Sequence, residues 1–359
     1  MRKLASIRVV DNVLPVEKAD RLEQVAIGGW RVVVAKGEFA KGDKVVYFEI
    51  DAALPADDTR YAFLKKRCLR KWMCGGRLVC EVIRVKSIRL RGVVSQGIVM
   101  PLSEFPELTD TTVGTDVTEV LRVEHYDELA EKYNRLTGNI RIAGNVKGAF
   151  PTHLVPKTDE ERLQNLPEYF DGRMIDVLFE ITEKFDGCSA TYVYAPNARP
   201  DDPFFVCSRN LELKEEEGNL YWDIAKKYDV LNVLKKLYEI NSGDIAVQGE
   251  IVGPGVNGNR DLYTEHEFRV FRIFDVRSGK WVMPSTRKHM CDEFGMPHVR
   301  ILGTCNIFKN LTTMEDFLKF VEGKTDRGNE REGMVFKSVS GEISFKVINN
   351  NYLLKENNG

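Results

Sequence analysis

The stretch Val177-Leu178-Phe179-Glu180-Ile181-Thr182-Glu183-Lys184-Phe185-Asp186-Gly187 opens on an apolar run and closes on a K-x-D-G tetrapeptide. The run has the β-branched and aromatic content of a strand, and Gly187 permits a tight turn that presents Lys184 at the strand end. With average composition such a tetrapeptide arises by chance in roughly one chain of this length in ten, and its default meaning is a surface turn with a solvated lysine. Its position directly after a strand is what gives it weight.

Further strands are expected downstream at 190–194, 245–252, 268–276, 333–337 and 343–348, alternating with helices at 221–237, at a segment capped by Ser285 and stopped by Gly295, and at 313–321. Mixed order of this kind predicts an α+β domain. Upstream, residues 7–10, 31–34, 45–50, 78–85 and 97–100 read as short strands separated by Gly28-Gly29 and Lys41-Gly42-Asp43. Five strands in this length without a strong helix pattern predict a small barrel of the OB type. Between Pro101 and Gly148 the composition turns acidic, with a helix expected at 127–136, and this stretch reads as a connector. The expected division is an OB-like domain with connector at 1–148 and a second domain at 149–359.

The length of 359 residues and the 43% apolar content fit two domains with ample core, and the 30% charged content fits a globular chain. Formal net charge is only −2, so any polyanion must be met by local clusters. No run of about 18 apolar residues exists to span a bilayer, and the N-terminus lacks an apolar signal segment. Seven scattered cysteines, of which Cys68, Cys74 and Cys80 lack zinc-type pairing, suit reduced thiols. A cytoplasmic, monomeric protein is expected.

Four more segments follow the tetrapeptide in order: Ser208-Arg209-Asn210, Gly249-Glu250-Ile251-Val252-Gly253, Phe271-Arg272-Ile273-Phe274-Asp275-Val276, and Glu332-Gly333-Met334-Val335-Phe336-Lys337. Ser344-Phe345-Lys346-Val347-Ile348-Asn349 supplies a last one. Each is weak singly, but the ordered set resembles the covalent nucleotidyltransferases, the superfamily of ATP-dependent ligases and capping enzymes. The resemblance covers residues 184–349 and implies a nucleotidyltransferase (adenylation) domain. Capping enzymes and DNA ligases usually place an OB-fold after the last motif, whereas this chain ends about a dozen residues beyond its last strand and carries its barrel first. That order is similar to ATP-dependent RNA ligases, as are the segments 156–165 and 253–259. An RNA ligase using ATP and Mg²⁺ or Mn²⁺ is implied, with RNA, in particular a nicked duplex, as substrate.

The same resemblance implies roles. Lys184 is the AMP-bearing nucleophile; Glu183, Arg209 and Glu250 contact the nucleotide; Phe271 or Phe274 stacks on adenine; Lys346 contacts the α-phosphate; Asp186, Glu250 and Glu332 serve the metal. The two phenylalanines lie in a strand, where core packing is the ordinary fate, and Lys337 is either a solvated strand residue or a phosphate contact. Two features depart from the pattern: the last motif has Ser344 and Ile348 where relatives carry a second lysine, leaving Lys355 as an alternative, and Ser189 stands where some RNA ligases have Asn.

Physical chemistry makes the set coherent. A lysine of pKa about 10.4 is neutral at pH 7 in only roughly one molecule per few thousand, and only the neutral amine attacks phosphorus. Three neighbouring carboxylates aggravate this, and a hydrated divalent cation held by them relieves it. Separately, residues 60–91 hold eleven Lys or Arg, among them Lys65, Lys66, Arg67, Arg70 and Lys71, against the single acid Glu81. With Tyr61, Phe63 and Trp72 interleaved, this cluster is expected to grip an RNA backbone. The rival readings are a GTP-using capping-type guanylyltransferase, a DNA ligase, and an RNA-end binding protein without turnover.

Overall fold

A computed structural model describes residues 3–137 and 146–355. The strand before the K-x-D-G turn runs Phe179–Lys184, buried throughout except at its last residue. It pairs antiparallel with Gly333–Ser338, placing Lys184 opposite Gly333, and on its other edge with Ile301–Cys305. Gly333–Ser338 in turn pairs with Ser344–Ile348, with Val335 opposite Lys346. Three motifs far apart in sequence thus lie on adjacent strands. The apolar face of this sheet packs Phe179, Phe336 and Phe345 with Phe317, the rings of Phe336 and Phe345 stacked at 4.8 Å.

Beyond the turn, Cys188–Tyr194 enters a second, seven-stranded sheet ordered Val146–Ala149, Leu211–Leu213, Phe204–Cys207, Cys188–Tyr194, Ile245–Val252, Glu267–Asp275, Lys280–Trp281. Ser189 faces Glu250 across this ladder. Residues 184–188 therefore bridge the two sheets, and the turn sits where both present their strand ends. Helices Leu220–Lys227 and Val230–Asn241 cover one face through Ile224, Leu234 and Leu237. The class is α+β, as expected.

The structure departs from expectation locally. The helix expected at 221–237 is two helices, broken at Asp229, whose φ of 48° lies in the left-handed region. The next helix, Pro284–Glu293, is preceded by Met283 rather than capped by Ser285, because Pro284 takes the first helical position, where a missing N–H costs nothing. Thr313 does cap Met314–Phe320, through a reciprocal pair of hydrogen bonds with Asp316.

These strands and helices belong to one of two compact units, Ala143–Tyr352; the other is Met1–Ile142 with Leu353–Gly359. In the latter, Lys44–Phe48 lies between Ala5–Val9 and Ile98–Pro101. A second sheet, Asn12–Pro15, Leu22–Ile27 and Trp30–Ala35, joins the segment before Ile98 through the Gln96 N–H, which donates to the Arg31 carbonyl at 2.6 Å. A third contains Glu124–His125, Ala52–Pro55, Arg77–Arg84 and Leu69–Cys74. The stretch after Pro101 is more than a connector: Val117 N–H donates to Ala5 O, and helix Tyr126–Thr137 sets Leu129 and Tyr133 against Trp72.

This packing corrects the aromatic part of the expected RNA grip. Trp72 is buried under that helix, and Tyr61 is fully buried edge-on to Phe48, so neither is free to stack on a base. Phe63 is 66% exposed. Arg60 is also structural: it pairs with Asp58 and Glu107 at 2.7 Å each and lies over the Phe105 ring. Lys66, Arg67 and Lys71 are exposed and Lys65 and Arg70 half-buried, with Lys71 3.3 Å from Glu81.

Candidate active site

The two sheets of the second unit enclose a cavity of about 430 Å³. Lys184, Glu183, Asp186, Arg209, Glu250, Phe271, Glu332 and Lys346, all expected from sequence, line it. The Lys184 ammonium donates to Glu332 Oε2 at 2.8 Å. Burial works to lower its pKa, but Glu332, Glu250 and Asp186 outweigh this and hold the amine above the ordinary lysine value. The problem posed by three carboxylates is thus present in the folded protein. Desolvation pushes Glu250 up to about 7, with Lys184 opposing and Glu332 and Asp186 adding to the rise. A carboxyl so poorly compensated marks a pocket short of positive charge. Formation of a lysyl adduct should therefore quicken with pH across 6 to 9, as the neutral amine grows tenfold per pH unit below its pKa. Single-turnover labelling at fixed ATP checks this, and a flat profile would show that deprotonation of Lys184 does not limit the step.

Gly187 is explained by packing rather than by turn conformation, since its φ is not in the positive region. A Cβ there would stand 2.2 Å from the Ile251 carbonyl and 2.8 Å from Glu250 Cγ. The same close approach lets its N–H donate to the Glu250 carboxylate. Asp186 is engaged on both oxygens: Asn257 Nδ2 donates to one at 3.0 Å and the Tyr352 hydroxyl to the other. Asn257 also donates to the Gly187 carbonyl at 2.6 Å, so the glycine-rich segment 253–259 has a definite task, to hold the turn that carries Lys184.

Across the cavity, Lys346 Nζ donates to Asp159 Oδ1 at 2.6 Å and Arg209 to Asp159 Oδ2 at 3.3 Å. Burial lowers the Lys346 pKa; Asp159 opposes this, while nearby Lys184 and Arg162 add to it. Ser344 is half-buried and takes a hydrogen bond from Arg272, and Ile348 is an apolar pocket wall, so among the described residues Lys346 is the last-motif lysine of this cavity. The side chain of Lys355 lies outside the described residues. Glu183, which borders the cavity, is buried, burial raises its pKa, and Arg300 reaches its carboxylate at 3.5 Å.

The two phenylalanines separate cleanly. Phe271 lines the cavity, whereas Phe274 packs edge-on against Trp281 at 4.9 Å in a different core. Phe274→Ala should cost about 3–5 kcal/mol of stability by the usual penalty for emptying a core. On the expectation that Phe271 stacks on the base, Phe271→Ala should leave the melting temperature within a few degrees while raising the half-saturating ATP concentration about tenfold. Thermal melts and labelling titrations of the pair check this.

Comparison with known proteins then gives a family. An RNA ligase family model matches residues 178–348, and an OB-fold domain model matches residues 4–102. A solved structure of a Naegleria gruberi RNA ligase mutant with AMP and Mn is 34% identical, covers 99% of each chain and superposes with a TM-score of 0.79. The chain belongs to the RNA ligase family. Two further structures of the Naegleria gruberi RNA ligase agree: a mutant with ATP and Mn at 33% identity, covering 98% of this chain and 99% of that one with a TM-score of 0.78, and the enzyme with PPi at 34%, 99% of each and 0.77. The comparison with curated proteins finds no match. The first hundred residues of this RNA ligase thus form an OB-fold, as expected, although they hold more strands than the five that the sequence pattern showed.

Sequence reasoning missed several pocket residues of this RNA ligase. Asp159 and Glu160 lie in the segment 156–165 and carry no signal of their own. Asn257 and Tyr352 act through contacts 71 and 166 residues away. Among the described residues no three carboxylate, imidazole or thiol groups converge as a ready-made metal cage. Glu250 and Glu332, two carboxylates sharing the cavity with the one ammonium of Lys184 that Glu332 meets at 2.8 Å, form a donor set that still suits a cation keeping its own waters. Asp186, spent on Asn257 and Tyr352, is the weakest of the three for that purpose.

Proposed function

We propose that this RNA ligase is ATP-dependent and joins an RNA 3′-hydroxyl to a 5′-phosphate through a lysyl-AMP. The observation that carries the proposal is Lys184, set at the end of its strand in a cavity shared with Glu250, Phe271, Glu332 and Lys346. In the first step Lys184 Nζ bonds to the α-phosphorus of ATP, the bond to the β-phosphate breaks, pyrophosphate leaves and the amine gives up its proton. In the second an oxygen of the RNA 5′-phosphate takes the AMP, the P–N bond breaks and Lys184 recovers a proton. In the third the 3′-hydroxyl oxygen bonds to the phosphorus of the activated 5′-phosphate and gives up its proton, the P–O bond linking that phosphate to AMP breaks, and AMP departs. AMP, ATP and PPi, bound in the Naegleria structures, are the nucleotide carried, the substrate and the leaving group of this sequence.

Glu332 orients the amine and Phe271 receives the base. Lys346 and Arg209 exchange Asp159 for phosphate oxygens. Glu250 and Glu332 would hold Mg²⁺ or Mn²⁺ through its waters; the cation supplies countercharge that disfavours the lysine ammonium and neutralises charge on the triphosphate. The OB-fold unit, 1–148 in our division with catalysis in 149–359, grips RNA through Lys65, Lys66, Arg67, Arg70 and Lys71. We assign a nicked duplex as substrate and a monomer acting inside the cell. The seven cysteines are all free thiols, which suits a reducing compartment, and no described helix is long and apolar enough to cross a membrane.

Neither a capping-type guanylyltransferase nor a binding protein without turnover is favoured by any feature of the pocket. Sealing of a nicked RNA duplex, a templated break and free single strands tests the reading, with ATP against GTP. The nick sealed fastest with ATP is the expected result; label from GTP alone, or label without sealing of any RNA, would overturn it. Replacing Lys66, Arg67 and Lys71 by Ala should weaken RNA binding and flatten its salt dependence while labelling by ATP stays intact.

A further inference from the structure

We propose that Lys337 is a positioning residue for base recognition: with Arg287 it clamps the backbone carbonyl of Phe271 and so fixes how that ring faces the nucleotide. The inference rests on the reading of Phe271 as the ring that receives the base.

The strand Glu267–Asp275 slips its register beside Ile245–Val252: Gln248 faces Arg272 and Gly249 faces Val270, so Phe271 is the extra residue of a bulge. A bulge re-aims a side chain and takes its residue out of the ladder. Phe271 therefore gains a ring turned into the cavity and a backbone carbonyl without a strand partner. Such a group, away from water, must be satisfied elsewhere.

Two buried side-chain donors converge on it. Lys337 Nζ donates to Phe271 O at 2.7 Å and Arg287 Nη1 to the same oxygen at 3.1 Å. Lys337 Nζ also lies 5.5 Å from the centre of the Phe271 ring, so it meets both the backbone and the side chain of that residue. Both donors are almost fully buried, at 4% and 1% exposure. The arginines nearby have carboxylates of their own, Arg287 with Glu180 at 3.0 Å and Arg272 with Glu160 at 3.1 Å. Lys337 makes its short contact to the carbonyl. Although it borders the cavity, its amine is committed to the wall behind the base rather than extended toward a phosphate. At 4% exposure Lys337 is not a solvated strand residue, and the clamp is the role set against a phosphate contact in the test below.

Single-turnover labelling over a range of ATP concentrations, on the full chain, separates the roles. Lys337→Met should raise half-saturation about tenfold, the scale of one lost hydrogen bond to a charged donor, with the maximal rate within about twofold. Phe271→Ala should do the same, and the double variant should be no worse than Phe271→Ala alone, because a clamp has nothing to position once the ring is gone. Inhibition by tripolyphosphate, which has no base, should be unchanged in Lys337→Met. If that variant fails to fold, Arg287→Lys, which withdraws one donor while keeping a cation near Glu180, should raise half-saturation in wild type and not in the Phe271→Ala background. Additive losses, or weakened tripolyphosphate inhibition with a reduced maximal rate, would make Lys337 a structural or phosphate residue and overturn the inference. Absence of label on the wild-type chain would instead refute the proposed function, and an unchanged half-saturation for Phe271→Ala would refute the stacking role.

Discussion

Lys184→Arg should yield a folded protein that takes no label from ATP, a loss of at least about three orders of magnitude, as expected when a nucleophile is removed. Arginine keeps the positive charge opposite Glu332, which Lys184 now meets at 2.8 Å, so the carboxylates keep a partner and the pocket need not collapse. It cannot lose its proton at accessible pH, and its guanidinium presents no lone pair to phosphorus. Gel analysis after incubation with α-labelled ATP measures the result, with a thermal melt to show that the variant is folded. Sealing of a pre-adenylylated RNA strand gives a second readout, because that reaction enters after the lysyl adduct and should survive in part. Label persisting on Lys184→Arg would assign the nucleophile elsewhere.

Gly187→Ala should cut the labelling rate about a hundredfold, since displacing a reacting group by about 1 Å costs that much. The added methyl would stand 2.2 Å from the Ile251 carbonyl and 2.8 Å from Glu250 Cγ, so the strands Cys188–Tyr194 and Ile245–Val252 must part at their shared end. Parting them removes the Gly187 N–H from Glu250 and loosens Asn257 from the turn. Lys184 is three residues away on that turn. The melting temperature should fall as well, by several degrees, the scale of an overpacked site. A variant that labels at the wild-type rate would show that the turn yields without moving the nucleophile.

What sequence showed and what it hid divides along physical lines. The strands that carry the site were legible because each is an apolar, β-branched run bounded by turn residues, and in Phe179–Lys184 and Ile245–Val252 burial of nearly every position made the pattern strong. Short or exposed strands such as Asn12–Pro15 and Ile301–Cys305 bury little and left no such trace. Motif order carried the rest of the pocket. Phe271 and Phe274 could not be told apart, because the bulge at Phe271 shows only in the register of Glu267–Asp275 against Ile245–Val252 and not in the local pattern of residues. Tyr61 and Trp72 misled for the opposite reason: residues 101–137, which close over that unit, were read as a connector, so two core aromatics looked available among basic neighbours.

The hydrogen bonds around Lys184 have a consequence for how the enzyme is made. Glu332 lies 148 residues from the lysine it orients, Lys346 is 187 from Asp159, and the Tyr352 hydroxyl is 166 from Asp186. Closures of such span form late, after local hairpins and helices are in place. During synthesis the barrel can fold while the ribosome is still translating the second half. The turn that carries Lys184, the proposed nucleophile, however, lacks its Tyr352 contact until residue 352 has cleared the exit tunnel. Nascent chains arrested before that point should carry the lysine and be unable to charge it.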